Sequence, residues 1–95
     1  TTSASLTGAT LVATPAKVGI GQPVYVGDIT TSPAASAQVE MSSTTKGFLP
    51  PRMTATQGSA ISSPAEGLII YVTDTNGTFT TKGWWGYNGA TWQQF

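Results

Sequence analysis

The chain has 95 residues, of which 39% are apolar, and four Lys or Arg balance four Asp or Glu for a formal net charge of zero. The cations Lys17, Lys46, Arg52 and Lys82 are too few and too scattered to track a phosphate backbone, so nucleic acid is not expected as a partner. Without Cys or His there is no disulfide, no thiolate or imidazole metal site and no Ser-His or Cys-His nucleophile, and neither a cofactor nor a metal is expected.

Thr1 to Ser5 is polar with no basic run, so no leader peptide is expected there, and a first residue other than Met suggests a piece of a longer polypeptide. Thr1 to Gly8 reads as frayed. Leu11 to Ala13 and Lys17 to Ile20 read as short strands broken by Pro15, and Gly19-Ile20-Gly21 suits close backbone approach. No helix or Lys-Ser/Thr follows those glycines, so they are not a phosphate loop. Val24 to Val26 is a clearer strand between Pro23 and Gly27-Asp28. Thr31 to Ala37 reads as a loop, and Gln38 to Met41 alternates as a strand with Val39 and Met41 on one face.

The run Ser42 to Met53, SSTTKGFLPPRM, is the most distinctive in the chain. Pro50 and Pro51 have fixed φ and no N–H, and Leu49 before them is pushed toward extended geometry. The run is stiff, cannot take full part in a ladder, and reads as a joint made by Gly47, Phe48, Leu49, Pro50, Pro51, Arg52 and Met53. Thr54 to Ile61 is the one helical candidate, capped by Thr54 or Thr56, with Ala55, Ala60 and Ile61 inward and Gly58 limiting its length.

Gly67 to Thr73 (GLIIYVT) is the best strand, and its apolar residues on both faces call for cover on both. Leu68 to Val72, the longest strongly apolar run, is far too short to span a bilayer, so no membrane insertion is expected. Asp74 to Gly77 reads as a type I′ hairpin turn with Asn76-Gly77 at its tip. Strands follow at Thr78 to Thr81, Gly83 to Tyr87 and Ala90 to Phe95, with a second turn at Asn88-Gly89. The expected architecture is mainly β: residues 1–50 as a β-structured shaft or neck, and residues 51–95 as a small antiparallel β tip with at most one short helix near 54–61.

Eleven of the apolar residues are Ala, which leaves few large side chains for a core. A lone chain of this kind is marginal, so association with copies of itself is expected. Low charge with abundant Thr and Ser suits an exposed extracellular particle better than a cytosolic enzyme.

Two groups of residues invite a functional reading. Trp84, Trp85, Tyr87 and Trp92 cluster with Phe79 and Phe95 near the polar Asn88, Thr91 and Gln93. In a strand Trp84 and Trp85 point to opposite faces, so one packs inside and the other meets solvent or a neighbour. Such a surface suits the stacking of sugar rings, and cross-strand packing within a sheet or at a subunit interface is the alternative. Trp84, Trp85, Tyr87, Asn88 and Trp92 are therefore the candidate receptor-binding residues. Arg52 and Glu66 are a candidate ion pair locking the joint to the sheet, with an anion or receptor contact as the alternative. Glu40, Glu66 and Asp74 are the acids available for glycoside chemistry, and solvated or paired acids explain them more simply. Asp74-Thr75-Asn76 lacks the rest of a calcium loop.

The order AKVGIG, then TTSPAASAQVEMSSTTKGFLPPRMTATQGSAISSPAEGLIIYVTDTNG, then GWWGYNGATWQQF resembles the C-terminal region of bacteriophage tail-fibre and related virion fibre proteins, over roughly residues 17–95. Similar strings occur in exported, fibre-like proteins of some bacteria. The resemblance implies a homotrimer about a threefold axis, with a slender β-structured shaft leading to a wider tip. It implies that Val39, Met41, Phe48, Leu49 and Met53 lie toward the axis and that Gly67 to Thr73 sits in the tip's sheet. This chain departs from the pattern at Gln57-Gly58, where a longer polar helix is usual, and at Gly83 to Gly86, where the Trp pair is extra. The function this implies is a non-enzymatic virion fibre tip, extracellular on a tail fibre or spike. It would attach to a host-surface glycan or protein receptor, with the rest of the fibre or virion joined at its N-terminus. A purely structural trimerisation and capping module is the alternative, and a polysaccharide-cleaving tip a third.

Overall fold

A computed structural model describes residues 20–27 and 32–95 of the chain. The expected strands at 11–13 and 17–20 and the frayed start lie outside the described residues, Ile20 excepted. Two compact units divide between Thr45 and Lys46. The prolines therefore group with the second unit rather than mark its edge.

In the first unit, β1 (Val24–Val26) pairs in parallel with β2 (Val39–Met41), Val24 opposite Val39 and Val26 opposite Met41. The Val24 N–H donates to the Gln38 carbonyl at 2.7 Å, and the Ser42 N–H to the Val26 carbonyl at 2.7 Å. Between the strands, the Ala37 N–H closes a turn on the Ala34 carbonyl, and the Glu40 carboxylate accepts from the Ala34 N–H at 2.7 Å. Facing residues of a register point to one side of a sheet. Val24, Val26, Val39 and Met41 thus form one apolar face, on which Val26, Val39 and Met41 stay exposed.

The second unit is a four-stranded sheet in the order β3-β4-β5-β6: β3 (Arg52–Met53), β4 (Ile69–Val72), β5 (Gly83–Tyr87) and β6 (Trp92–Gln94). It is antiparallel apart from β3, which runs parallel to β4. A proline retains its acceptor, and the prolines enter the sheet through it. The Tyr71 N–H donates to the Pro51 carbonyl at 3.0 Å, and the Thr73 N–H to the Met53 carbonyl at 2.9 Å. Because β3 is a two-residue edge strand, the missing proline donors are not needed by a further neighbour.

Helix α1 (Ala55–Ser59) starts at Thr54, which closes a capping box with Gln57. The Asp74 side chain reaches across from the end of β4 and accepts from the Ala55 N–H at 2.6 Å. Ala55 and Gly58 are its buried residues, whereas Ala60, expected to face inward, is exposed. Gly58 is a packing requirement, since a Cβ there would stand 2.9 Å from Phe79 Cε2. Ser63, in the loop after the helix, holds a left-handed φ of 47°.

Thr78 to Thr81 does not form the expected strand, and Asn76-Gly77 is not a type I′ turn, because neither residue has a positive φ. Instead, residues 73–82 make a broad loop. Asn76 Oδ1 accepts from the Thr78 and Phe79 N–H groups at 2.9 and 2.8 Å, and the Asn76 N–H donates back to the Phe79 carbonyl at 2.8 Å. The loop drops Phe79 into the centre of the unit, where it is fully buried. Around it lie Ala55, Ile70, Val72 and Trp85, with Met53, Ile61 and Trp92 packed against them. Met53, expected near a threefold axis, is part of this chain's own core.

Candidate functional site

The register of β4, β5 and β6 sorts the aromatic cluster onto two faces. Ile70 stands opposite Trp85, Val72 opposite Gly83 and Tyr87 opposite Trp92, and the side chains of Ile70, Val72, Trp85, Tyr87 and Trp92 share the face that α1 and the 73–82 loop cover. Ile69 stands opposite Gly86 and Tyr71 opposite Trp84, on the other face. The loop and helix thus cover one face of β4, and the expectation of cover on both is met on one side only. Ile69 is 44% exposed, while Ile70 is 2% exposed.

Trp85 is the tryptophan that packs inside. Its ring stands edge-on to Phe79 at 5.3 Å, and its indole N–H donates to the Thr81 carbonyl at 3.0 Å. At 5% exposure it is withdrawn from any contact surface, which corrects its place among the receptor-binding candidates. Trp84 lies on the second face, edge-on to Tyr71 at 4.9 Å. Asn88 serves the β5–β6 turn: its Oδ1 accepts from the Ala90 and Thr91 N–H groups at 2.9 and 2.8 Å, and Gly89 follows at φ +95°.

Tyr87 and Trp92 come together at the first face's margin. Their rings meet edge-on at 5.2 Å, and Trp92 also leans on Phe79 at 5.2 Å. They line an open groove of about 470 Å³ with Ser59, Ile61, Pro64, Thr78, Ala90 and Thr91. Two half-buried rings are held from behind by the core, and hydroxyls stand at the rim. The Tyr87 hydroxyl donates to the Ala90 carbonyl at 3.1 Å, which fixes that ring. Of the five aromatic-patch candidates, only these two reach the groove. Ser59, Pro64 and Thr78 were missed, because they lie on the helix, the following loop and the 73–82 loop. Only tertiary packing brings those segments beside β6.

Arg52 and Glu66 do not meet. Arg52 stands opposite Tyr71 on β3, near Leu49, Lys82 and Trp84, while the Glu66 carboxylate lies against Gly89 at the other end of β4. The expected ion pair is corrected accordingly. Phe48 and Leu49 of the joint are 66% and 64% exposed, Pro51 and Gly47 are exposed, and Pro50 is half-buried. The described acids have separate structural tasks. Asp74 caps α1, Glu40 holds the Ala34 turn, and among the described residues no three Asp or Glu gather as a metal site would need. No helix among the described residues is long and apolar enough to cross a membrane.

A family model described as a phage tail like trimerisation region matches residues 19–95. No curated protein and no solved structure matches the chain.

Proposed function

We propose, from the premise that this chain belongs to the phage tail-like trimerisation family, a non-enzymatic fibre tip that attaches a virion to a host-cell surface glycan. As a member of that family the chain is a structural module of a tail-type fibre in which three copies associate. Attachment is our reading of what the module presents. The observation that carries it is the Tyr87–Trp92 groove, where fixed aromatic edges and faces stand beside the Ser59, Thr78 and Thr91 hydroxyls. Sugar rings have apolar C–H faces and a hydroxyl perimeter, and this pairing of chemistries is what they require. Three copies held rigidly multiply a weak single site through effective concentration. A non-catalytic role is supported by the three described acids: Asp74 and Glu40 are committed to backbone N–H groups, and Glu66 rests against a turn glycine.

The test fills the groove without touching the core. Ala90 is exposed, and its backbone N–H bond to Asn88 survives a change of side chain. Ala90→Arg should weaken adsorption to host cells and to their purified surface polysaccharide by about tenfold per site, more with three sites engaged. Oligomer mass and Trp circular dichroism should not change. Full adsorption by this variant refutes the groove and leaves a purely structural module. Release of reducing ends from the polysaccharide would refute the non-enzymatic part.

A further inference from the structure

We propose that the second face of the tip sheet, built from Ile69, Trp84 and Phe95 with Phe48, Pro50 and Pro51, is the surface on which three copies of this chain close about their common axis. The inference rests on the trimeric association of the family and adds where in this chain it occurs. These six apolar residues line a concavity of about 460 Å³. Phe48 is 66% exposed, Ile69 44% and Phe95 76%. Contiguous bare apolar surface of this kind is uncommon on a monomer and marks an interaction site.

The face is built to stay apolar and shallow. Gly86 lies on it opposite Ile69, and a Cβ there would stand 2.9 Å from Phe95 Cε1. The absent side chain lets the Phe95 ring lie down on β5, and the Phe95 N–H is tied to the Trp84 carbonyl at 3.1 Å. The ring is thus held with most of its surface outward. Arg52 and Lys82 stand at one margin, beside Tyr71 and Trp84, as charged groups do at the rim of an interface.

The occupant is a second copy rather than a foreign ligand for two reasons. The six lining residues offer no polar side-chain atom except the Trp84 indole N–H, so a saccharide would lose its hydroxyl partners there. The family of this chain also associates in threes, and identical copies around an axis bring the same apolar face to one place. Within the second unit, α1 and the 73–82 loop cover the opposite face, while Ile69, Phe48 and Phe95 stay exposed on this one.

The absence of native cysteine permits a direct test on the full chain. Ile69→Cys and Phe95→Cys are compared with Ser62→Cys, an exposed position in the loop after α1. In a chain that sediments as a trimer, alkylation at positions 69 and 95 should be about 100-fold slower than at 62, because it must await opening of the interface. A companion variant, Ile69→Arg, should be monomeric at concentrations where the parent is trimeric. If that variant fails to fold, the alkylation rates decide the matter. Equal alkylation at 69 and 62 within a trimer overturns the proposed face while the trimer stands. Slow alkylation in a chain that sediments as a monomer assigns the cover to the chain's own residues and also overturns the proposal. A parent that sediments as a monomer, with Ile69→Cys and Phe95→Cys alkylated as fast as Ser62→Cys, removes the association itself. A trimer of undiminished stability in Ile69→Arg refutes the face directly.

Discussion

Replacing Gly58 by Ala should destabilise this protein, against the direction that helix propensity dictates. In a helix interior Ala is favoured over Gly by about 0.8–1 kcal/mol. Gly58 has no positive φ, so its backbone would accept Ala without strain. The obstacle is space: the new methyl would lie 2.9 Å from Phe79 Cε2, 3.1 Å from Phe79 Cζ and 3.1 Å from Ile70 Cδ1. Neither neighbour has freedom to retreat. Phe79 is fully buried between the Trp85 and Trp92 rings, at 5.3 and 5.2 Å, and Ile70 is 2% exposed. Overpacking of this kind costs about 1–3 kcal/mol, which outweighs the propensity gain and leaves a net loss of about 1 kcal/mol. Gly77→Ala is the control: nothing lies within 4 Å of its Cβ, its φ is not positive, and the substitution should be neutral or stabilise by up to about 1 kcal/mol. Urea unfolding followed by Trp fluorescence, at one chain concentration because association shifts the midpoint, measures both. A Gly58→Ala chain as stable as the Gly77→Ala chain would refute the claim that helix and loop meet through a missing side chain.

Two further substitutions probe the polar joints of the tip. Asp74→Ala removes the acceptor of the Ala55 N–H and should cost about 1–2 kcal/mol, whereas Asp74→Asn keeps an acceptor and should cost less; calorimetry of the two variants compares them. Asn76→Ala strips the acceptor from the Thr78 and Phe79 N–H groups and the donor to Ser59 Oγ. It should cost about 2 kcal/mol and speed amide exchange at Thr78 and Phe79 first, and equal exchange in both proteins would show that the loop holds Phe79 without it.

Elements whose signal is local could be read directly from the residues. The β-rich character, the strands at Val24, Val39, Ile69 and Gly83, and the Thr54 cap all follow from side-chain type and short-range order. Phe48 and Leu49, which the family resemblance sets toward a threefold axis, are bare side chains in the single chain, and the sequence by itself does not say what meets them. Asn88-Gly89 turns the chain because Gly89 supplies the positive φ. The type I′ reading failed at Asn76-Gly77 for a non-local reason. The Asn76 side chain caps a longer loop there, and the reward is the burial of Phe79 against residues far away in sequence. Similarly, Arg52 and Glu66 are complementary charges whose distance no sequence pattern records.

Sequence alone determined that this chain is mainly β, has little charge to spend and is short of large apolar side chains, because these depend on composition and period-two order. It also determined that Trp84 and Trp85 must part, since successive strand residues cannot share a face. Which of them goes inside was decided only in three dimensions. The Asn76-anchored loop and the close approach of Gly58 put the cover on the Trp85 side. Gly86 and Phe95 then leave the Trp84 side smooth and bare, because packing one face of a small sheet uses the apolar groups that would have covered the other.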